Sequence, residues 1–185
     1  MAIDFARAEP LLNIVCHDPY ASATAALARL QAAGYRRVGL FVEHFKDRRT
    51  NYKWSAAFRS FQVYRGGIGR APVLMEEKMT EAAFARWYRA HKPEVVMGHF
   101  DECVDWLAAL RPRVSGHVGF FNLNWLARTR PCAGIDPQLE LHGRVAADTL
   151  ASMVQHGEGG LMKTPRLISV PGLIVPGPTV RELAG

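Results

Sequence analysis

The chain alternates short, uninterrupted apolar runs with amphipathic segments of helical periodicity, and this alternation constrains its fold more than any other feature. In the amphipathic segments apolar residues recur three and four positions apart, as Ala23, Ala26 and Leu27 do. Short apolar runs separated by such helices are typical of a parallel sheet covered on both faces. We therefore predict an α/β fold, with helices near 23–30, 54–61, 80–87, 103–110 and 138–155 and strands near 11–16, 38–42, 73–75, 94–98, 117–121, 167–170 and 173–175.

The composition of the 185 residues, 49% hydrophobic and 22% charged, is typical of a globular protein. No stretch approaches the ~20 apolar residues that cross a bilayer, and the first twenty residues lack a secretory pattern, so neither a membrane span nor a signal is predicted. The three cysteines are an odd number and widely spaced, which disfavours a disulfide framework and favours the cytoplasm. The net charge of +6 is spread over small basic groups, which indicates a solvated surface.

Polar and aromatic residues follow the ends of several predicted strands. Because the carboxyl ends of parallel strands meet at one edge of the sheet, ligands bind there. Aromatic rings stack on sugar C–H faces, and carboxylates or amides take hydroxyl hydrogen bonds, so this mixture suits a polyhydroxylated small molecule. The strand-end residues are Glu43, His44, His99, Phe100, Asp101, Phe121, Asn122 and Asp136.

Three candidate residues have a second interpretation. Asp101 is equally explained as the N-cap of the helix that follows it. Trp54 shares an apolar helical stripe with Ala57 and Phe58, which favours a place in the core over one in a pocket. Phe121 ends an apolar strand and has the same alternative.

The sequence contains no Gly-x-Ser-x-Gly elbow, no phosphate-binding Gly-x-x-x-x-Gly-Lys-Ser/Thr loop and no His-Glu-x-x-His helix. His17 with Asp18, and His99 with Asp101, could form acid–base pairs, but such neighbours are more often structural. Cys16 ends an apolar strand, which favours a buried thiol. We expect a protein that is not an enzyme and that has no cofactor and no metal. The alternative is a small α/β enzyme that uses His99 and Asp101 on a sugar-like substrate.

A series of stretches matches, in order, the landmarks of one known family. They are Asp18-Pro-Tyr-Ala-Ser, Gly34-Tyr-Arg-Arg-Val-Gly-Leu, Pro93-Glu-Val-Val-Met, Val118-Gly-Phe, Ala133-Gly-Ile-Asp, Gly143-Arg-Val-Ala-Ala-Asp-Thr-Leu and Ile174-Val-Pro-Gly-Pro-Thr-Val-Arg. From about residue 10 to the end, the chain thereby resembles the effector-binding region of the LacI/GalR family of bacterial transcription regulators.

The resemblance implies a type I periplasmic-binding-protein-like fold, in which two hinged α/β subdomains enclose a sugar or a related metabolite. Residues 1–185 would form one effector-binding unit, made of the C-terminal subdomain with part of the hinge and of the first subdomain. The family's helix-turn-helix has no counterpart in these residues, so DNA would be bound only through a domain absent from this chain. A homodimer is also implied, and a bare dimerisation module is a further alternative.

In the family, the helix near 143–153 packs into the first subdomain. In this sequence that helix presents one apolar face, so the resemblance implies an exposed apolar patch or self-association. The residues of this predicted face are Gly143, Ala146, Leu150, Met153 and Val154.

The resemblance also selects residues for the pocket. Where many members carry a ligand-gripping Arg, an Asn and an Asp, this chain has Trp54, Phe100 and Phe121, so aromatic surfaces replace directional polar contacts. The implied ligand is recognised by stacking or is less hydroxylated than a typical sugar. The predicted ligand-binding residues are Trp54, Phe100, Asp101, Phe121, Asn122 and Asp136.

Overall fold

The computed structural model describes residues 1–3, 12–69, 71–110, 118–159 and 164–183. The helices are α1 (Pro19–Ala32), α2 (His44–Arg49), α3 (Lys53–Ser60), α4 (Glu81–His91), α5 (Cys103–Leu110) and α6 (Leu139–Gln155). The strands are β1 (Ala2–Ile3), β2 (Ile14–Asp18), β3 (Val38–Glu43), β4 (Leu74–Glu76), β5 (Val95–Gly98), β6 (Gly119–Asn122), β7 (Ala133–Asp136), β8 (Leu167–Pro171) and β9 (Leu173–Val175). Leu11 and His117, where two predicted strands begin, lie outside the described residues.

Six strands form the larger sheet, in the order β4–β3–β5–β6–β7–β9. All neighbours run parallel except β7 and β9. Helices α1 and α3 cover one face of this sheet, and α4 and α5 cover the other. The central strands are therefore buried on both faces, which explains their continuous apolar sequences. The predicted α/β fold with a helix-covered parallel sheet is confirmed.

Three further strands form a separate parallel sheet in the order β1–β2–β8, against which α6 packs. We call these strands and α6 the small lobe, and the remaining described elements the large lobe. Within the described residues the chain crosses between the lobes three times, from β2 to α1, from β7 to α6 and from β8 to β9. Short crossing segments of this kind are the usual hinges between lobes.

Helix α6 is only partly covered by the small lobe. Ala146 and Met153, from the predicted apolar face, are buried, whereas Leu150 is 47% exposed and Val154 is 73% exposed. Among the described residues, a sheet of three short strands packs against this helix of 17 residues. An exposed apolar patch is therefore present, formed by Leu150 and Val154, and self-association stays a prediction.

Candidate ligand-binding cleft

A cavity of about 540 Å³ is lined by residues of both lobes. On the large lobe it lies beyond the carboxyl ends of β5, β6 and β7, which are followed by the lining residues His99, Asn124 and Pro137. On the small lobe it is lined by His17, from the end of β2, and His142, from α6. The cavity is therefore at the edge where parallel sheets bind ligands, because the connecting loops diverge there.

One side of the cavity is formed by the short helix α2, which follows β3 directly. Lys46, Arg49 and Thr50 line the cavity. Lys46 and Arg49 lie three residues apart on one face of α2, and Thr50 is the residue that follows its last turn. We call these three residues the α2 wall. None of the lining residues that the structure describes is an aspartate or a glutamate.

Aromatic rings from both lobes meet at Trp54. The ring centroids of Trp54 and His17 are 5.6 Å apart, and His99 meets Trp54 edge-on at 5.5 Å. The ring of His142 lies 6.4 Å from that of His17. Trp54 is only 3% exposed, because the rest of its indole packs in the core beside α1. Trp54 therefore packs in the core and also forms part of the cavity lining.

The buried hydroxyl of Ser22 joins His17 to one of the lobe crossings. Ser22 Oγ donates its single hydrogen to the carbonyl oxygen of Asp18 at 2.6 Å, and it accepts the backbone N–H of Gly172 at 2.8 Å. In its 2.8 Å contact with His17 Nε2 the hydroxyl must therefore accept, so Nε2 carries the ring proton. Nδ1 of the neutral ring then carries the lone pair.

Both titratable rings beside Trp54 are held neutral. Burial, helped by the charge of His142, lowers the pKa of His17 to about 4. Burial, with a contribution from the nearby Lys46 ammonium, lowers the pKa of His99 to about 3. His99 Nδ1 has no hydrogen-bond partner among the described residues. At neutral pH these rings are uncharged aromatic surfaces.

The ammonium group of Lys46 is held from two sides. Its Nζ atom lies 3.5 Å from Glu43 Oε2 and 3.8 Å from the ring centroid of Phe100. Glu43 is buried, and its other oxygen accepts the backbone N–H of Met79 at 3.1 Å. Lys46 is therefore positioned by groups that lie outside the cavity lining.

The structure brings one of the six predicted residues, Trp54, into the cavity lining. Phe121 is fully buried in the core between the large sheet, α1 and α3. This position agrees with the alternative interpretation, in which Phe121 is a core residue. Phe100 packs under Lys46 and stacks on Phe41 at 6.5 Å. Phe121 lies within β6, whereas the lining residue Leu123 of the same core cluster follows the end of this strand, so Phe121 stays in the core and does not reach the cavity.

The predicted acids and the amide bind neighbouring loops. The buried carboxylate of Asp101 accepts hydrogen bonds from the backbone N–H groups of Thr129 and Arg130, the latter at 2.7 Å. Asn122 Oδ1 accepts the N–H of Asn124 at 2.8 Å, and Asp136 Oδ1 accepts that of Gln138 at 2.8 Å. These side chains position the residues next to the cavity, and their role as direct ligand contacts stays a prediction.

The α2 wall and His142 were not predicted from the sequence, and His17 was considered only as an acid–base partner of Asp18. The polar face of Lys46, Arg49 and Thr50 directly after a predicted strand is a signal that could have identified the wall. His17 also follows an apolar run, but no local pattern indicates that it meets His142, which lies 125 positions later. Their proximity depends on the lobe crossings.

The acid–base pair proposed for the alternative enzyme is not formed as a pair. His99 lines the cavity, whereas the carboxylate of Asp101 is occupied by the loop at 129–130. Over the described ranges no group of His, Cys, Asp and Glu side chains could hold a metal ion, and no helix could span a membrane.

The sequence matches no family model and no curated protein, but solved structures share its fold. One is a LacI transcriptional regulator from Bacillus cereus subsp. cytotoxis, with a TM-score of 0.63 and 16% identity, and the match covers 100% of this chain and 68% of that chain. A second is a LacI family transcriptional regulator from Enterococcus faecium with bound ribose, with a TM-score of 0.61 and 13% identity, covering 98% of this chain and 70% of that chain. A third is the transcriptional regulator CelR in complex with cellobiose, with a TM-score of 0.68 and 15% identity, covering 96% of this chain and 58% of that chain.

The chain thus spans between 58% and 70% of the length of these three neighbours. At identities this low the similarity establishes the fold. The chain has the periplasmic-binding-protein-like fold that it shares with these regulators, and the fold that the resemblance implied is confirmed.

Proposed function

We propose that this chain is the ligand-sensing part of a LacI/GalR-type transcription regulator, and that a carbohydrate or a related small metabolite binds in the cleft without being transformed. The observation that carries the proposal is the position of the cavity, which is lined from both lobes at the carboxyl edge of the large sheet. Structural neighbours with bound ribose and cellobiose support a carbohydrate.

A ligand in this cleft would touch both lobes at once. It would contact His17 and His142 on one side and Trp54 and Asn124 on the other. Such a ligand binds the closed arrangement of the lobes more tightly than the open one, so it shifts the equilibrium between them. The shift would reach DNA through a helix-turn-helix domain outside these residues, in a cytoplasmic homodimer.

The six predicted residues have different roles in this proposal. Trp54 contacts the ligand through the small part of its indole that reaches the cavity, and Phe100 supports Lys46. Asn122, Asp101 and Asp136 orient the loops that carry the contact residues. Phe121 packs in the hydrophobic core of the large lobe. A non-catalytic role is supported by the engagement of Asp101 with its loop and by the lack of acids in the described lining.

Gly143 offers a direct test. It lines the cavity from α6, and a Cβ atom added there meets nothing within 4 Å, so a larger side chain would extend into the cleft without a clash at its root. We expect a bound sugar to raise the melting temperature of the native chain and of Gly143→Ala, but not of Gly143→Phe. Equal stabilisation of all three proteins, or conversion of the sugar into a product, would contradict the proposal.

A further inference from the structure

We infer that Ser22 is a positioning residue of the cleft: its hydroxyl fixes which nitrogen of His17 carries the ring proton, so that His17 meets a ligand as a hydrogen-bond acceptor. The matching ligand group is a hydrogen-bond donor, such as a sugar hydroxyl. The inference rests on the proposed function and adds the kind of group that the small lobe binds. Its starting point is the contact of 2.8 Å between Ser22 Oγ and His17 Nε2.

The hydrogen-bonding positions of the Ser22 hydroxyl are all occupied. Its oxygen lies 2.6 Å from the carbonyl oxygen of Asp18, and two oxygens this close need a hydrogen between them, which the hydroxyl has to supply. The two lone pairs of the hydroxyl face the backbone N–H of Gly172 and Nε2 of His17, each at 2.8 Å. Ser22 is 1% exposed, so solvent does not compete for these positions. Towards His17 the hydroxyl therefore acts as an acceptor.

The other two partners of Ser22 are backbone groups at two of the lobe crossings. Asp18 is the last residue of β2, and Gly172 lies between β8 and β9. A Cβ atom added to Gly172 would clash with Ile135 Cγ2 and lie 3.1 Å from His17 Nε2, so this crossing packs closely against the ring. Because backbone groups cannot turn away as a side chain can, the hydroxyl is held in one orientation.

The tautomer of His17 decides what this ring offers to the cavity. Burial lowers the pKa of His17 to about 4, so at neutral pH the ring is uncharged and has one donor and one acceptor nitrogen. Among the described residues, Ser22 is the hydrogen-bond partner of the ring and takes up the donor, Nε2. His17 lines the cavity from the small lobe. A ligand that hydrogen-bonds to His17 must therefore use Nδ1 and must supply the hydrogen itself.

This requirement separates two classes of ligand group. A hydroxyl can donate, whereas a ketone oxygen or a carboxylate accepts and would meet the lone pair of Nδ1 without a hydrogen between them. A carbohydrate carries hydroxyl groups beside C–H faces, so it can donate to His17 while an apolar face packs near Trp54, whose ring centroid lies 5.6 Å from that of His17. Without the Ser22 hydroxyl the ring could take either tautomer, and the discrimination would be lost.

NMR of the ¹⁵N-labelled full chain at neutral pH measures the ratio of the Nδ1–H form of His17 to the Nε2–H form, with the signals assigned by their loss in His17→Gln. We expect the Nε2–H form in the native chain. Ser22→Ala should raise the ratio about threefold to tenfold, which is the effect of losing one hydrogen bond. Ser22→Cys is closer in size to the native residue but accepts weakly, so it should raise the ratio even if Ser22→Ala does not fold.

Thr24→Ala is the matched control. Thr24 also lies on α1, and its hydroxyl donates to the carbonyl oxygen of Tyr20 at 2.8 Å, as that of Ser22 does to Asp18. Because this hydroxyl bonds to Tyr20 and not to His17, the ratio should stay at its native value. Ribose or cellobiose, added to the native chain, should move the Nδ1 signal, and the sugar that binds should bind Ser22→Ala about threefold or more weakly than Thr24→Ala.

A native ring in the Nδ1–H form, or a ratio that both substitutions of Ser22 leave unchanged, would overturn the inference. Equal changes in Ser22→Ala and Thr24→Ala would overturn it as well. Binding of a sugar that leaves the Nδ1 signal of His17 unmoved would overturn the acceptor role and leave the proposed function in place. Failure of both sugars to bind would contradict the proposed function and the role of His17 towards a ligand, while the ratio would still show whether Ser22 fixes the tautomer.

Discussion

His17 and His99 come from different lobes and contact the same ring, Trp54. Both have pKa values well below the 6.5 of an unperturbed histidine, mainly because burial penalises the charged ring. In the unfolded chain these rings bind protons near pH 6.5, whereas in the folded chain they bind them only near pH 4 or below. Folding is therefore linked to pH through these two side chains.

We predict that the free energy of unfolding is fully retained above about pH 6.5 and falls as the pH is lowered from there, because the unfolded state then binds more protons. Each of the two histidines contributes up to about 1.4 kcal/mol per pH unit. Urea unfolding between about pH 6.5 and 5, where most carboxylates remain ionised, measures this slope. His17→Gln, whose amide can still donate to Ser22, should remove about half of it. A slope unchanged by this substitution would exclude His17 as a source.

Asp101 provides a second test at the scale of the residue. Asp101 is 4% exposed, and its carboxylate accepts the backbone N–H groups of Thr129 and Arg130. Asp101→Ala leaves these donors without an acceptor, so we expect a loss of about 2–4 kcal/mol in chemical unfolding. Asp105→Ala removes the exposed partner of Arg130 and should cost less than about 1 kcal/mol. Similar losses in both variants would show that the Asp101 contacts are not specifically stabilising.

At the scale of the element, α6 contains one glycine within it and another just after its end. Gly143 has no neighbour near the position of a Cβ atom and lies inside the helix, where glycine is unfavourable. Gly157 has φ +66° and follows the end of the helix, where its N–H donates to the carbonyl of Val154 at 3.1 Å. A left-handed residue at this place is a common way to end a helix.

The two glycines should respond in opposite directions to alanine. Gly143→Ala should raise the free energy of unfolding by about 0.5–1 kcal/mol, because it lowers the entropy of the unfolded chain and favours the helix. Gly157→Ala should lower it by about 1 kcal/mol, because alanine is strained at a positive φ. Thermal unfolding of both variants measures the pair. Stabilisation by Gly157→Ala would show that α6 does not end in this conformation.

At the scale of the whole molecule, the two lobes differ in how well they are covered. The large sheet lies between two helical layers, whereas the small sheet has three strands and leaves Leu150 and Val154 of α6 exposed. Exposed apolar patches on soluble proteins often mark sites of association. The proposed homodimer and this patch can be tested together.

We predict that the chain self-associates through the exposed face of α6. Sedimentation velocity of the native chain should show a mass that rises with concentration towards that of a dimer. Val154→Lys should shift the equilibrium to the monomer by about tenfold or more, because it places a charge in an apolar contact. Gln155→Lys adds the same charge at an exposed neighbouring position and should have little effect. A native chain that stays monomeric at all concentrations would contradict this prediction.

Much of the fold was predictable because it follows from local patterns. Val95 to Gly98 is continuously apolar because its strand is buried on both faces, and Phe84 and Trp87 recur at helical spacing because α4 covers the sheet. The candidate site was less predictable. Trp54 was identified together with Phe121, although only the first reaches the cavity. Both belong to the same core cluster, and the sequence does not show which members of that cluster lie at its edge.

By itself the sequence determined the order of helices and strands, the parallel sheet and the sheet edge at which a ligand site could form, because periodicity and burial act over a few neighbouring residues. Only the tertiary structure decided which side chains meet there. His17, Lys46, Asn124 and His142 line one cavity because the chain crosses three times between the lobes. Contacts between such distant positions depend on the geometry of the packed lobes, which no local pattern encodes.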